Sequence, residues 1–559
     1  MWPLVRQARY LGRYREISQV LVGHGFGYLV EQLGLASLLS LPRRVVLRVP
    51  PPTPVGVAVR LRETLIALGP TFIKFGQLLS TRPDLLPPDM VQELDKLQDT
   101  VPPFPANVAI ATIESELGRP VKELFREFCE EPLAAASLGQ VHCAVLHTGE
   151  RVAVKVQRPD IQQRITTDLA IIGELAELAQ DRGVLGGTHN LVELAWELSA
   201  TVRGELDYRR EGRNADRFRA NFVGSELVHI PTVYWDYTTS KVLTCELLTG
   251  LKINDIAGLE KAGINRKVLA RNSMHLILQE IFSDGFFHGD PHPGNFFALP
   301  GDVIGVVDFG QVGTLDRETT RQLLLLLVAL TNHDNDGALR ALERMGTLSR
   351  HSITPALRRD MQRFTDTFVD RPLADLSARE TIEQLLTLMR RHNLSLPGPL
   401  ATLLKALVMM EGIGLQLDSS LDVFGEARPY AERALTEQFT PGVVGERLAA
   451  GGRVISEAVL ELPQQVSDAL WQLNKGELQL QTRELELRRV AAAMVSAANR
   501  LAVALVLAAF VLATGAIAVA MGISGWSGWL PMLLLAGGVI GVIFSGFVLI
   551  LALIRGRDW

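Results

Sequence analysis

Cysteine is scarce in this chain of 559 residues, which holds only Cys129, Cys143 and Cys245. They lie far apart and form no Cys-x-x-Cys pair. Neither a disulfide framework nor a zinc site follows, and a reducing compartment is the default expectation. Charge of either sign is not in large excess: the net value is −5, which gives no case for a nucleic-acid partner. A secretory leader is not expected either. Arg6, Arg9, Arg13 and Arg15 precede the first acid, Glu16, but no apolar run with a small-residue cleavage site follows. Two readings of these arginines compete, a basic face on an anionic membrane surface and ordinary solvated side chains. Internal repeats are absent. Apolar residues, by contrast, are plentiful at 47%, and the mean hydropathy of +0.18 is high for a purely soluble protein.

The most informative stretch is His288-Gly289-Asp290-Pro291-His292-Pro293-Gly294-Asn295, followed after a short apolar run by Asp308-Phe309-Gly310. Phosphoryl transfer from a nucleotide needs one carboxylate beside the attacking oxygen. It also needs a second carboxylate and an amide oxygen to hold Mg²⁺ against the phosphates. Asp290 and Asn295 have the spacing of a kinase catalytic loop, and Asp308 opens the metal-binding turn. Residues 303–307 read as the buried strand that delivers Asp308. Upstream, Arg151-Val152-Ala153-Val154-Lys155-Val156 is the return strand of a hairpin turning at Thr148-Gly149. Its Lys155 matches the lysine that holds the α- and β-phosphates.

What a protein kinase would have and this chain lacks is equally informative. The Gly-x-Gly-x-x-Gly loop over the phosphates is replaced by Ala134-Ala135-Ala136-Ser137-Leu138-Gly139-Gln140-Val141, in which only Gly139 keeps its glycine. After Asp308-Phe309-Gly310 the chain runs into a helix near Arg317, with no long activation segment and no Ala-Pro-Glu. That segment docks peptide substrates, so a protein substrate is disfavoured. Before the kinase-like part, Pro70 opens a helix carrying Lys74, Gly76 and Gln77. Lys74 and Gln77 share a face, and Gly76 allows close approach of another backbone. The same helix also reads as a core helix with a snorkelling lysine.

Together, His-Gly-Asp with Pro-Gly-Asn, Asp-Phe-Gly, the Ala-rich loop and Lys-x-Gly-Gln resemble the UbiB family of atypical kinase-like proteins. The resemblance covers roughly residues 55–320. It implies that the Lys74/Gln77 segment folds over the nucleotide site, and that Glu205 and Asp207 engage this segment and a metal. It also implies that Glu211 pairs with Lys155. By spacing alone, residues 191–218 form one long helix on which Asp207 and Glu211 share a face; Glu205 points elsewhere unless the helix distorts. Residues 231–236 and 242–248 read as two further strands, with adenine expected against the backbone near Glu246 and Leu248.

The expected architecture is an α+β, bilobal kinase-like fold. A basic segment and Pro-rich linker (1–54) precede a helical extension (55–129), a small lobe (130–250) and a helix-rich large lobe (251–475). A linker (476–500) leads to a transmembrane helical hairpin (501–559). Within the large lobe, residues 400–417 read as its central apolar helix. The expected ligands are ATP or ADP with Mg²⁺. The resemblance implies a membrane lipid or quinone precursor as partner and a role in isoprenoid-quinone biosynthesis, as an enzyme or as a nucleotide-gated scaffold for biosynthetic enzymes.

The hairpin rests on two uncharged runs, residues 501–521 and 530–554, each as long as the roughly 20 residues needed to cross a bilayer. Arg488, Arg489 and Arg500 before the pair and Arg555 and Arg557 after it place both ends, and the kinase-like part, on the cytoplasmic face. The full chain is therefore expected to stay with membranes through a carbonate wash. A chain truncated near residue 480 is expected to lose integral insertion. Release of the intact protein by the wash would contradict the hairpin.

Overall fold

The computed structural model describes residues 10–35, 56–82, 85–97, 102–183, 190–331, 334–348, 352–369, 377–392, 394, 396–423, 425–427 and 429–430, with scattered positions among 513–541. The chain divides into two units, Met1–Val444 and Gly445–Trp559. The Pro-rich linker, the linker at 476–500 and nearly all of the expected transmembrane hairpin lie outside the described residues. In the second unit, Ala513–Gly515, Trp529 and residues 536–541 are helical, and Thr514 packs on Gly538.

The small lobe is an antiparallel sheet of β1 (Phe125–Phe128), β3 (Gly139–Leu146), β4 (Arg151–Gln157) and β6 (Val242–Glu246), with β2 (Ala134–Ala135) added beside β3. The alternation in β4 sends Val152, Val154 and Val156, all fully buried, into one core. That core also holds Ala109 and Ile113 of the helix Ala106–Leu117. Because side chains alternate along a strand, Lys155 points to the opposite face. The hairpin turns through Gly149 at φ 105°, a conformation that favours glycine.

Three expectations need correction here. Residues 231–236 form no strand: Val233 makes one isolated bridge to Cys245, and Trp235–Tyr237 is a 3₁₀ turn. Residues 191–218 form two helices, α9 (Leu191–Gly204) and α10 (Tyr208–Asn221). Asp207 caps α10 by accepting from the Arg209 N–H, a local bond that competes with continuing the helix. Finally, Cys129 and Cys143 are joined in a disulfide, their Cα atoms 5.3 Å apart. They meet because β1 pairs with β3. The cysteine count therefore says nothing about compartment.

The N-terminal extension is not a separate module. Helices α1 (Leu11–Gly23), α2 (Gly27–Gln32), α3 (Val57–Leu68), α4 (Pro70–Ser80) and α5 (Pro88–Leu94) share a core with α8 (Ile161–Asp181) and α9. Tyr14, Val30, Phe72 and Leu94 pack there with Ile165, Leu169 and Val202. Gly76 meets the side chains of Leu97 and Leu65 rather than another backbone. Arg13 fits neither reading of the N-terminal arginines: it is largely buried, bonding Asp168 at 2.7 and 3.1 Å.

In the large lobe, α12 (Arg266–Gln279) leads to β8 (Phe286–His288), which pairs with β11 (Val312–Thr314). The sheet β5-β10-β9-β7 (Val228–His229, Val303–Val306, Phe296–Leu299 and Leu251–Lys252) carries the loops of the site. Behind them lies α17 (Gly398–Leu417), as the apolar run at 400–417 predicts; Leu400, Ala401, Leu403, Ala406 and Met410 are buried. Among the described residues it is the one helix long and apolar enough to cross a membrane, and half of it is buried in this core.

Asp168 is 1% exposed and also accepts from Thr71 at 2.6 Å, so one carboxylate ties α1 and α4 to α8. Removing one partner of a buried ion pair strands the other charge. Asp168→Ala is expected to cost about 3 kcal/mol in chemical denaturation and to expose the extension to limited proteolysis. Unchanged stability would contradict its role as the tie.

Candidate active site

The cleft between the lobes is lined by Lys74, Ala136, Ser137, Leu138, Gly139, Lys155, Glu205, Tyr208, Glu211, Asp290, Asn295, Asp308, Gly310 and Gln311. Lys155 donates to both carboxylate oxygens of Glu211 at 2.8 Å and lies 3.5 Å from Asp308. Burial opposes its charge, but Asp308 and Glu211 outweigh burial and raise its pKa well above that of an ordinary lysine. Lys155 in turn holds Asp308 down to about 2, so that carboxylate stays ionised.

The Asp-Phe-Gly turn is held from beneath. Asp308 sits at φ 64°, a left-handed conformation uncommon outside glycine and found at functional sites. Phe309 is buried, its ring 5.0 Å from Phe218 and 5.8 Å from His288, and its carbonyl accepts from Asn214 at 2.9 Å. Gly310 N–H donates to the Asp308 carboxylate at 3.3 Å.

The catalytic loop is braced by His288, whose pKa burial lowers. The neutral ring accepts the Asp290 N–H on Nδ1 at 3.2 Å, which leaves Nε2 to donate to the Val307 carbonyl at 3.4 Å. Asn295 donates its side-chain N–H to the Asp290 carbonyl at 3.1 Å, so its amide oxygen remains as an acceptor. Asp308 and Asn295 are hard oxygen donors of the kind Mg²⁺ takes together with phosphate oxygens and water. Among the described residues no group of three or more His, Cys, Asp or Glu is gathered as a metal cage. A kinase-type ion does not need one.

The break between α9 and α10 orients the acidic residues. It turns Glu205 toward Lys74 at 3.0 Å, and Gln311 donates to the other oxygen of Glu205 at 2.9 Å. Glu211, one turn into α10, faces Lys155. Asp207 lies outside this cluster, where it caps α10 and sits 3.7 Å from Arg213. Gln77 donates to the Leu97 carbonyl at 2.9 Å and is not among the cleft-lining residues.

The Ala-rich loop is a tight hairpin. Ala134 pairs with Val141 and Ala135 with Gln140, and Ala136 N–H donates to Gly139 O at 2.8 Å. A Cβ on Gly139 would run into the Tyr208 hydroxyl and the Val156 carbonyl. That glycine is thus required by packing beneath the loop. Glu246 accepts the Thr232 N–H at 3.2 Å and Leu248 packs beside Gly305; neither lines the cleft. Two cleft-lining residues, Tyr208 and Gln311, carry no signal of their own in the sequence; nor does Lys405, which stands outside the lining with its ammonium 3.7 Å from Asp290.

A bilobal fold with a lysine–glutamate pair, an Asp/Asn loop and an Asp-Phe-Gly turn defines a kinase-like protein. Residues 96–342 match the ABC1 atypical kinase-like domain, and residues 361–422 match the UbiB helical domain. An uncharacterized protein of Synechocystis sp. is 38% identical over 439 residues, spanning 78% of this chain and 75% of that protein. A Marinobacter nauticus protein named a probable protein kinase UbiB is 38% identical over 429 residues, 76% of this chain and 78% of that protein. A Mycobacterium tuberculosis protein solved with erythromycin aligns at 25% identity and TM-score 0.43, over 61% of this chain and 87% of that one. This chain belongs to the UbiB family of atypical kinase-like proteins.

Behind the catalytic loop, Glu280 is 1% exposed and accepts the His288 N–H at 3.0 Å. Burial pushes its carboxyl up from 4.5 to about 8. Between those values the unfolded chain has released this proton and the folded chain has kept it, so stability falls as pH rises. Glu280→Gln keeps the acceptor and removes the titration. It is expected to match wild type near pH 5 and to exceed it by roughly 3 kcal/mol at pH 8. Parallel stability–pH curves would contradict this.

Proposed function

We propose that this protein is a membrane-anchored atypical kinase or ATPase. It uses ATP with Mg²⁺ to support isoprenoid-quinone biosynthesis, acting on a lipid precursor or another small molecule rather than on a protein. The observation that carries the reading is the convergence of Lys155, Glu211, Asp308, Asn295 and Asp290 on one cleft. Lys155 binds phosphate oxygens, and Asp308 and Asn295 would hold Mg²⁺, which when bound neutralises charge on the β- and γ-phosphates. Asp290 orients the attacking oxygen and takes its proton.

Two features favour a non-protein acceptor. After Gly310 the chain passes through β11 straight into the helix Arg317–Thr331, leaving no platform for a peptide. On the other side, Lys74 reaches in from the extension to Glu205. The cleft encloses about 60 Å³, far below the roughly 300–1,000 Å³ of ordinary ligand pockets. Nucleotide entry therefore requires this cover to shift. The gate is Lys74 with Glu205 and Gln311, and Gln77 anchors the base of its helix.

Lys74→Ala is expected to speed nucleotide association while leaving the fold intact, measured by stopped-flow binding and thermal unfolding. For the physiological role, a strain lacking the gene is expected to accumulate a quinone precursor and to be rescued by wild type but not by Asp308→Asn. Full rescue by Asp308→Asn, with the protein still binding nucleotide, would favour a nucleotide-gated scaffold over an enzyme.

A further inference from the structure

The apolar helix α17 carries only two charged residues, Lys405 and Glu411. Glu411 has a structural use: it is 2% exposed and accepts the Arg379 N–H at 2.7 Å at the start of the helix Ala378–Arg391. Among the described residues the one ion pair of Lys405 is to Asp290 of the catalytic loop. The Lys405 side chain is about one-fifth exposed, and its ammonium lies 3.7 Å from the Asp290 carboxylate. Helix α17 packs directly on the catalytic loop, where the Thr402 methyl lies against Gly289. A lysine in the middle of an apolar core helix loses part of its hydration, and an anionic partner offsets that cost.

We propose that Lys405 is a second phosphoryl-binding cation, approaching the transferred group from the large-lobe side as Lys155 approaches from the small lobe. This rests on the nucleotide reading above. In the reaction the bond between the γ-phosphorus and the β–γ bridging oxygen breaks, and a bond to the acceptor oxygen forms. The acceptor proton passes to Asp290, and the electron pair of the broken bond leaves on the nucleoside diphosphate. Negative charge on the transferred group has to be met on the acceptor side, and Lys405 is the cation beside the residue that handles that acceptor. Lys405 also holds the Asp290 carboxylate toward the cleft.

The test compares full-length wild type, Lys405→Met, Lys405→Arg and Asp308→Asn in detergent with acidic phospholipid. It measures Mg-ADP affinity, ATP turnover and thermal unfolding. Lys405→Met is expected to keep Mg-ADP affinity within about twofold and to lower kcat roughly 100-fold, as loss of one transition-state donor does. Lys405→Arg is expected to restore a large part of it. Turnover within twofold of wild type in Lys405→Met would overturn the proposal. So would equal losses of nucleotide affinity and kcat, or an arginine variant that folds but is no better than methionine. If Lys405→Met does not fold, Lys405→Arg alone decides: activity near wild type supports a cation at this place, and a kcat as low as that of Asp308→Asn overturns it. Absence of Mg-ADP binding in wild type would instead sink the nucleotide reading itself. Binding without turnover in wild type would leave that binding standing and remove Lys405 from catalysis.

Discussion

The site depends on the ammonium of Lys155, held between the carboxylates of Glu211 and Asp308. Two carboxylates facing each other in a partly dry cleft repel, and each is costly to desolvate. The lysine makes their coexistence favourable and keeps Asp308 ionised. Every nearby element serves this geometry. The alternation of β4 turns Lys155 away from the valine core, α10 presents Glu211, and the buried Phe309 ring fixes the backbone that turns Asp308 inward.

The N-terminal extension is tied to this centre by packing and charge together. Its helices have no core of their own; they complete one with α8 and α9. Asp168 pins them at one end. At the other, Arg82 reaches Glu197 at 3.1 Å and the Leu396 carbonyl at 3.3 Å. The anchored helix holds Lys74 over the cleft, and the contact that closes the cleft is its ion pair with Glu205 at 3.0 Å. That pair depends on the interruption between α9 and α10, where Glu205 leaves the helical register.

Much of this was legible in the sequence, for identifiable reasons. Asp290, Asn295 and Asp308 lie close along the chain and are spaced by the geometry of a loop and a short strand. The Lys155 hairpin shows strict alternation and a Gly149 turn. The pairing of Glu211 with Lys155 came only from family resemblance, because the residues are far apart and a charged helix has many possible partners. The helix break was hidden because the helical pattern runs through residues 204–207, and only the Asp207 cap ends it. Lys405 was invisible for the opposite reason: it sits in a helix whose apolar character dominates, and its partner lies in another element. The Cys129–Cys143 bridge depends on β1, a strand too short to show a period.

In the function we propose, Lys155, oriented by Glu211, forms the phosphate-binding half of a nucleotide–Mg²⁺ site. The most direct measurement is calorimetric titration of the full-length protein with Mg-ADP, for wild type, Lys155→Met and Glu211→Gln. Both variants are expected to bind at least tenfold more weakly while unfolding cooperatively. Wild-type affinity in both folded variants would contradict the account.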